Sequence, residues 1–382
     1  MIVYFVCFGI TGVFAAVNDY NLQKKEKILA VVTAFFVVII PAILAGIRSY
    51  DIGTDVNGYV RSSFELAVNF SSLKAWLDMS GVAGFITQNL EKGFLLVEYI
   101  STKISKDTHF FLFLVAFIEN LFIYLGLFKL RNKCNVFIGE MVFLFTQYNS
   151  FFNMMRQGIA MSICLFALSF LLANDDKKYI KFFVWSFIAF QFHGTAIISL
   201  LFLIVYLVFK NQNKDLLLKQ TLFLFSLLII VIGFIPLVNY MVNIGVLPEH
   251  YLEYFSGGAA FQLYKISIFG ILIYSCSYII LCQANKYLGK QKNIFMAMAI
   301  IDVVFMAMSN ISFYLYRLAT YFLLVRIFSL SKRSLYQMDT SRNIYDNPYV
   351  LYIETLISVI LYFVYFIVKL NWHQTVPYMF MN

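Results

Sequence analysis

The sequence predicts an all-α polytopic membrane protein with about twelve transmembrane helices, folded as a single membrane domain over residues 1–382. Of its residues, 61% are hydrophobic and 13% are charged, whereas a soluble domain carries about 25% charged residues. Apolar runs of membrane-spanning length recur along the chain. Basic residues stand in small clusters between these runs, which is the pattern of cytoplasmic loops. The net charge of +9 therefore does not indicate a nucleic-acid partner.

The predicted helices follow the apolar runs in chain order. The runs cover residues 2–17, 28–47, 108–128, 135–152, 157–174, 180–192, 195–209, 220–240, 263–283, 293–310, 313–331 and 349–369. No basic segment precedes the first run, so we expect a membrane helix there and not a cleaved signal peptide. The five cysteines show no CxxC spacing and are expected to be packing residues.

The sidedness of the chain depends on the segment from Phe182 to Phe209, which contains no Asp, Glu, Lys or Arg. If it were one helix, the later basic clusters would lie on the opposite side from the earlier ones. If it forms two helices that meet near His193 and Gly194, six loops with three basic residues each fall on one side. We adopt two helices, because short cytoplasmic loops are enriched in Lys and Arg. Both termini are then predicted to be outside.

The outer face is predicted to carry the main periplasmic loop, residues 48–107, and a second loop, residues 241–262. In the main loop, the segment from Ser72 to Leu90 mixes large apolar residues with polar ones. This pattern predicts amphipathic helix. Such a helix either lies on the membrane surface or packs as a cap on the bundle, and the sequence leaves both interpretations open.

Three arginines are predicted at similar depth on the outer face. Arg48 ends the second helix, Arg156 is the one charged residue from Met141 to Asn174, and Arg317 lies just inside the eleventh helix. A guanidinium at the edge of hydrocarbon needs an anionic partner, and its forked donors bind two phosphate oxygens at once. The three arginines are therefore candidate ligands of a lipid-linked diphosphate. The alternative is that they simply anchor their helices at the interface.

His193 is predicted in a turn at the same level as the arginines, where a neutral imidazole can take a proton from a sugar hydroxyl. Asp55 is the alternative base, and the sequence does not decide between them. Residues predicted to contact a sugar or to support the site are Asp51, Thr54, Tyr59, Gln157 and Tyr321. His250 and His373 are weaker candidates. The sequence has no HExxH, GxSxG, phosphate-binding-loop or zinc-site spacing, so we expect neither a metal nor a cofactor.

Two further charged residues, Asp302 and Arg326, are expected to form a structural pair at mid-membrane, because buried charges are tolerated mostly as pairs.

The ordered series of these motifs resembles the EpsG-like branch of the Wzy-type polysaccharide polymerases. The series consists of Arg48, Gly53-Thr54-Asp55 with Tyr59, Arg156-Gln157, Phe192-His193-Gly194-Thr195-Ala196, Arg317 with Tyr321-Phe322, and Pro377-Tyr378. The resemblance implies a GT-C-related glycosyltransferase architecture in the bacterial cytoplasmic membrane, with the active site facing outside. It implies an enzyme that joins lipid-linked repeat units of an O-antigen, capsule or exopolysaccharide, moving the growing chain to the non-reducing end of a new repeat.

The same resemblance implies the partners. Undecaprenyl-diphosphate-linked oligosaccharides serve as donor and acceptor, membrane lipids surround the protein, and a further protein regulates chain length. The outer loops are shorter than in many Wzy polymerases, so the loop that grips the acceptor is not identified. The alternatives are an O-antigen ligase-like glycosyltransferase and a lipid-linked oligosaccharide flippase. A flippase needs charged residues through the whole membrane depth, whereas the predicted ones concentrate at one face.

Overall fold

The computed structural model describes residues 1–79, 90–211, 216–244, 266–283, 289–310, 313–333 and 348–381. Within these ranges the chain is a bundle of helices without a β-strand, apart from isolated bridges such as that between Arg48 and Phe380. The later part of the predicted amphipathic segment, most of the second outer loop and His250 lie outside the described residues.

Each of the predicted apolar runs contains helix in the part of the chain that the structure describes. The helices are α1 (Ile2–Lys24), α2 (Lys27–Gly46), α3 (Arg61–Ala67), α4 (Leu73–Leu77), α5 (Lys92–Ile104), α6 (Thr108–Lys129), α7 (Val136–Thr146), α8 (Tyr148–Phe151), α9 (Met155–Ala173), α10 (Lys178–Phe190), α11 (Ser199–Phe209), α12 (Leu216–Asn243), α13 (Ile268–Gln283), α14 (Lys292–Met308), α15 (Phe313–Leu330) and α16 (Pro348–Tyr362). Short π-helices cover Val56–Val60 and Phe363–Lys369, and short 3₁₀-helices cover Gly194–Ile198 and Gly289–Gln291.

Among the described helices, five are long and apolar enough to cross a membrane. These are α1, α2, α6, α9 and the continuous segment Tyr349–Lys369. Shorter apolar helices cover Val136–Thr146, Gly194–Phe209 and Ile268–Cys282. The chain is thus a polytopic membrane protein. The total of twelve crossings and the GT-C-related architecture stay predictions from the sequence.

Helix α9 lies at the centre of the bundle, and 94% of its apolar segment is buried inside the protein. It packs against α6 and α10. Gly158 allows the close approach to α6, because a β-carbon at this position would collide with the carboxylate of Glu119. A helix that is surrounded by protein has no face on which a charge can reach water, so charge is expected only at its ends. Arg156, in its first turn, fits this rule.

The predicted pair of Asp302 and Arg326 is confirmed. Arg326 Nη2 lies 2.9 Å from Asp302 Oδ2, and both side chains are buried. The same guanidinium donates to the carbonyl of Tyr274 at 2.7 Å, while Tyr274 and Tyr278 donate their hydroxyls to Asp302. These bonds join α13, α14 and α15. A buried pair persists only when such additional hydrogen bonds satisfy it.

The predicted break between two helices at His193 is present. Helix α10 ends at Phe190, and the 3₁₀-helix that leads into α11 begins at Gly194. At one end of the bundle the basic loops converge: Arg333 pairs with Asp19, and Lys133 donates to the Leu172 carbonyl at 2.8 Å. The break at His193 lies at the other end, together with the main loop. Which of these two ends faces the cytoplasm stays a prediction from the sequence.

The main loop packs as a cap over the described part of its length. Trp76 is fully buried and clusters with Ala67, Leu90 and Leu95, which joins α3 and α4 to α5. Glu98 in α5 is buried and accepts a hydrogen bond from Ser63 Oγ at 3.0 Å. These contacts favour the cap over a helix lying free on the membrane surface.

Candidate active site

A small open cleft lies where α9 begins, at the end of the bundle that carries the main loop, and its empty space of about 220 Å³ includes adjoining solvent. Its walls are Asp55, Tyr59, Asn153, Met154, Arg156, Gln157, His193 and Arg317. Six of these eight were singled out in the sequence. They come from four separate segments: the loop after α2, the start of α9, the turn before α11, and α15. The cleft is thus a meeting point of distant parts of the chain.

The loop that carries Asp55 is docked on the turn before α9. Gly53 has a φ of +88°, and a β-carbon there would lie 2.7 Å from the Phe152 carbonyl oxygen. Only glycine permits both the left-handed backbone and this approach. The Thr54 N–H then donates to Asn153 Oδ1 at 2.9 Å, and Asn153 Nδ2 donates to the His373 carbonyl at 2.8 Å.

Asp55 stands at the N-terminus of α9. Its Oδ2 accepts hydrogen bonds from the Tyr59 hydroxyl at 3.0 Å and from the Met155 N–H at 3.2 Å. No described residue donates to Oδ1, the second carboxylate oxygen. Burial raises the pKa of Asp55 above its ordinary 3.8, and the nearby guanidinium of Arg317 opposes that rise. A carboxylate with a raised pKa is a stronger base than an exposed one.

Arg156 makes charge-assisted contacts with two of the described residues at the cleft. Its Nε donates to the Tyr59 hydroxyl at 3.2 Å, and its Nη1 lies 2.5 Å from Glu91 Oε2. The sequence predicts an anionic partner for Arg156, and Glu91 of the main loop supplies a carboxylate. The predicted role of Arg156 as a ligand of a lipid-linked diphosphate stays a prediction.

Arg317 is held at the cleft by its backbone. Gln157 Nε2 donates to the Arg317 carbonyl at 2.8 Å, and Thr320 Oγ1 donates to the same carbonyl at 2.7 Å. The bond from Gln157 joins the first turn of α9, which carries Arg156, to α15, which carries Arg317. Arg156 and Arg317 therefore present two permanent positive charges to the same space.

His193 is neutral, and its tautomer follows from its hydrogen bonds. The backbone N–H of Thr195 points at His193 Nδ1 from 3.1 Å, and an amide N–H can only donate. Nδ1 must therefore be the acceptor, which puts the proton on Nε2. Burial, together with the positive charges of Arg156 and Arg317, lowers the pKa of His193 to about 3. The neutral ring can then offer an N–H donor through Nε2.

The hydroxyl of Thr195 extends this arrangement into α15. Thr195 Oγ1 lies 2.8 Å from His193 Nδ1 and 2.9 Å from the Tyr321 hydroxyl. Tyr321 is buried behind the histidine and does not line the cleft. In this position Tyr321 holds Thr195, which in turn holds His193.

Arg48 does not line the cleft. Its side chain is 1% exposed, donates to the Ala45 carbonyl at 2.8 Å, and lies 4.2 Å from the centre of the Phe152 ring. The C-terminal segment covers it, since the backbone beside Arg48 bridges to Phe380. In this position Arg48 does not reach the cleft, which argues against its predicted role as a ligand of the diphosphate. The guanidinium instead packs behind the cleft.

Three other predicted residues also lie elsewhere. Asp51 is exposed and accepts a hydrogen bond from Asn57 at 3.2 Å. Thr54 contributes its backbone N–H to the docking of the loop, while its side chain stays exposed. His373 is buried and bonded to the Tyr316 hydroxyl at 3.2 Å, and only its carbonyl supports the cleft, through Asn153.

The structure adds residues that the sequence interpretation did not assign. Asn153 and Met154 line the cleft. The sequence feature that could have identified them is their position just before Arg156. Glu91 is the more informative addition. It belongs to a polar turn, Glu91-Lys92-Gly93. Because this turn is far from Arg156 along the chain, the sequence alone does not reveal the contact between Glu91 and Arg156. Among the described residues, no three His, Cys, Asp or Glu side chains are grouped as a metal site would require.

A comparison with protein families extends over nearly the whole chain. The sequence model of the EpsG family matches residues 31–380, a span that includes every residue of the cleft. No curated protein and no solved structure matches the chain.

Proposed function

The chain belongs to the EpsG family, and from that premise we propose that it is a polysaccharide polymerase whose glycosyl transfer takes place in the cleft. The donor is a growing chain on undecaprenyl diphosphate, and the acceptor is a second lipid-linked repeat. One observation carries the proposal: two arginines, a half-buried carboxylate and a neutral histidine share a single cleft. The position of that cleft at the end away from the basic loops supports a reaction on the periplasmic side.

Arg156 and Arg317 bind the donor diphosphate. As the bond between the anomeric carbon and the diphosphate oxygen breaks, its electron pair moves to that oxygen and negative charge grows there. Two guanidinium groups carried by packed helices in a partly buried site stabilise this charge better than mobile water can. The planar fork of each also fits two phosphate oxygens at once. The interactions strengthen as the charge develops, which is the condition for faster chemistry.

Asp55 is the base in this proposal. An acceptor hydroxyl attacks the anomeric carbon, a new carbon–oxygen bond forms, and the hydroxyl proton passes to Asp55. No described residue donates a hydrogen bond to its Oδ1, whereas Tyr59 and Met155 both donate to its Oδ2. Direct attack inverts the anomeric configuration and releases undecaprenyl diphosphate.

His193 is then a hydrogen-bond donor and not a base. The lone pair of Nδ1 is taken by Thr195, and Nε2 carries the proton. The Nε2–H group can hold a sugar hydroxyl or a phosphate oxygen in place. The sequence leaves the choice between His193 and Asp55 open, and this tautomer supports Asp55 as the base.

The test of the function is a reconstituted reaction. The purified chain in vesicles with lipid-linked repeat units is expected to produce a ladder of products that differ by one repeat. A ladder supports the polymerase. Transfer of a single repeat to a different acceptor indicates a ligase-like enzyme, and movement of the repeat across the vesicle membrane without bond formation indicates a flippase. Either of these two outcomes contradicts the proposal.

Replacement of His193 tests its role as a donor. In His193→Gln, the side-chain NH₂ stands close to where Nε2–H was and still donates, so the initial rate is expected to fall less than about tenfold. In His193→Ala the donor is lost, and the rate is expected to fall about 10- to 100-fold. The measurement is the initial rate of ladder formation. If the glutamine variant is as inactive as the alanine variant, the imidazole acts as a base and the assignment is wrong.

A further inference from the structure

Arg156 and Glu91 form an ion pair at the cleft. Arg156 Nη1 and Glu91 Oε2 are 2.5 Å apart, with 20% and 26% of the two side chains exposed. Glu91 Oε1 also accepts the backbone N–H of Gly194 at 3.2 Å, beside His193. One carboxylate therefore contacts two of the four segments that form the site.

The Glu91 carboxylate occupies the side of the Arg156 guanidinium to which an anionic ligand would bind. Arg156 is the residue on which the proposed function depends for diphosphate binding, and Glu91 neutralises it in the structure described here. Because the pair is partly exposed, its own strength is modest. A ligand with two phosphate groups, which also reaches Arg317, offers Arg156 a bidentate and multiply charged partner.

We propose that Glu91 is an exchangeable counter-ion of Arg156 that the donor diphosphate displaces, so that it sets the affinity of the cleft for diphosphate. The proposal rests on the proposed function. Before the donor binds, Glu91 keeps Arg156 hydrogen-bonded at the cleft. When the donor binds, the guanidinium turns from the carboxylate to the phosphate. After transfer, Glu91 competes with the released lipid diphosphate and favours its departure.

The main loop is also attached by a contact that does not involve the side chain of Glu91. The N–H of Gly93 donates to the Gln191 carbonyl at 2.8 Å, and a β-carbon on Gly93 would lie 2.6 Å from that same oxygen. The loop is thus fixed on the turn before His193 by backbone contacts. Glu91→Gln keeps the size of the side chain and an oxygen acceptor for Gly194. It removes the negative charge and replaces the oxygen that accepts from Arg156 by an NH₂ group, so both changes weaken the hold of residue 91 on Arg156.

The experiment measures the dissociation constant of inorganic pyrophosphate for the full-length protein in detergent, by isothermal titration calorimetry. Glu91→Gln is expected to bind pyrophosphate about threefold to tenfold more tightly than the unmodified protein, because a competing charge is gone. Glu65→Gln is the matched control. Glu65 lies in the same loop and pairs with Arg61 at 2.8 Å, away from the cleft, so its replacement is expected to leave the constant unchanged.

Arg156→Ala separates the two proposals. If Arg156→Ala weakens pyrophosphate binding while Glu91→Gln leaves it unchanged or weaker, the counter-ion role is overturned and the proposed function stands. If the unmodified protein binds no pyrophosphate, or Arg156→Ala has no effect, the diphosphate site itself is wrong and both proposals fail. Should Glu91→Gln not fold, Glu91→Asp takes its place. This variant moves the carboxylate away from Arg156 by the length of one methylene group. If it binds pyrophosphate no more tightly than the unmodified protein does, the counter-ion role is overturned.

Discussion

Replacement of either cleft arginine by alanine is expected to reduce the rate of polymerisation about 100- to 1,000-fold, the effect of removing one fixed donor from a developing negative charge. Arg156 and Arg317 approach the cleft from different helices, so neither can take the place of the other. The measurement is kcat and KM for the lipid-linked donor in vesicles. Both parameters are expected to worsen, since the diphosphate is bound in the ground state and more strongly in the transition state.

The lysine variants test whether the fork matters in addition to the charge. Arg156→Lys and Arg317→Lys keep one positive charge but lose bidentate binding, and each is expected to recover less than about a tenth of full activity. Arg61→Ala is the control, because Arg61 is an exposed arginine of the main loop that pairs with Glu65. It is expected to leave the rate unchanged. Near-normal polymerisation by both alanine variants would exclude the proposed diphosphate site.

The helices could be predicted because apolar length and charge position are local properties of the chain. The break at His193 is the clearest case: no residue between Phe182 and Phe209 carries a charge, and the position of distant basic clusters placed the turn correctly. The central place of α9 also follows from the sequence, since a helix with Arg156 as its one charge has no polar face to turn toward water.

The site was predicted only in part, because contacts between distant segments leave no local pattern. Arg48 resembles a cleft residue in the sequence, yet the C-terminal segment returns over it and buries it. Glu91 resembles an ordinary polar turn, yet backbone contacts between Gly93 and Gln191 bring it to Arg156. The tautomer of His193 depends in the same way on the geometry of the turn that follows it, which spacing does not reveal.

Replacement of Asp55 by asparagine is expected to lower kcat about 100- to 10,000-fold, the usual contribution of a positioned base. Asparagine keeps an oxygen for the hydrogen bonds from Tyr59 and Met155, so the loop stays in place, but it cannot take up the acceptor's proton. Pyrophosphate binding is expected not to weaken, since a negative charge near the two arginines is removed. Asp51→Asn is the matched control: Asp51 lies in the same loop, is exposed, and does not line the cleft.

The dependence of kcat/KM on pH distinguishes the two candidate bases. Asp55 acts only when ionised, so activity is lost as the pH falls through its pKa, and burial moves that acid limb above 3.8. His193 has a pKa of about 3 and stays neutral over the working range, so no limb near 6.5 is expected from it. Initial rates from about pH 4 to pH 8 are the measurement. A limb near 6.5 that disappears in His193→Gln would transfer the role of base to the histidine. If the acid limb disappears in Asp55→Asn and leaves a low rate that does not vary with pH, the proton transfer belongs to Asp55. The turn at Gly53 places this carboxylate at the start of α9.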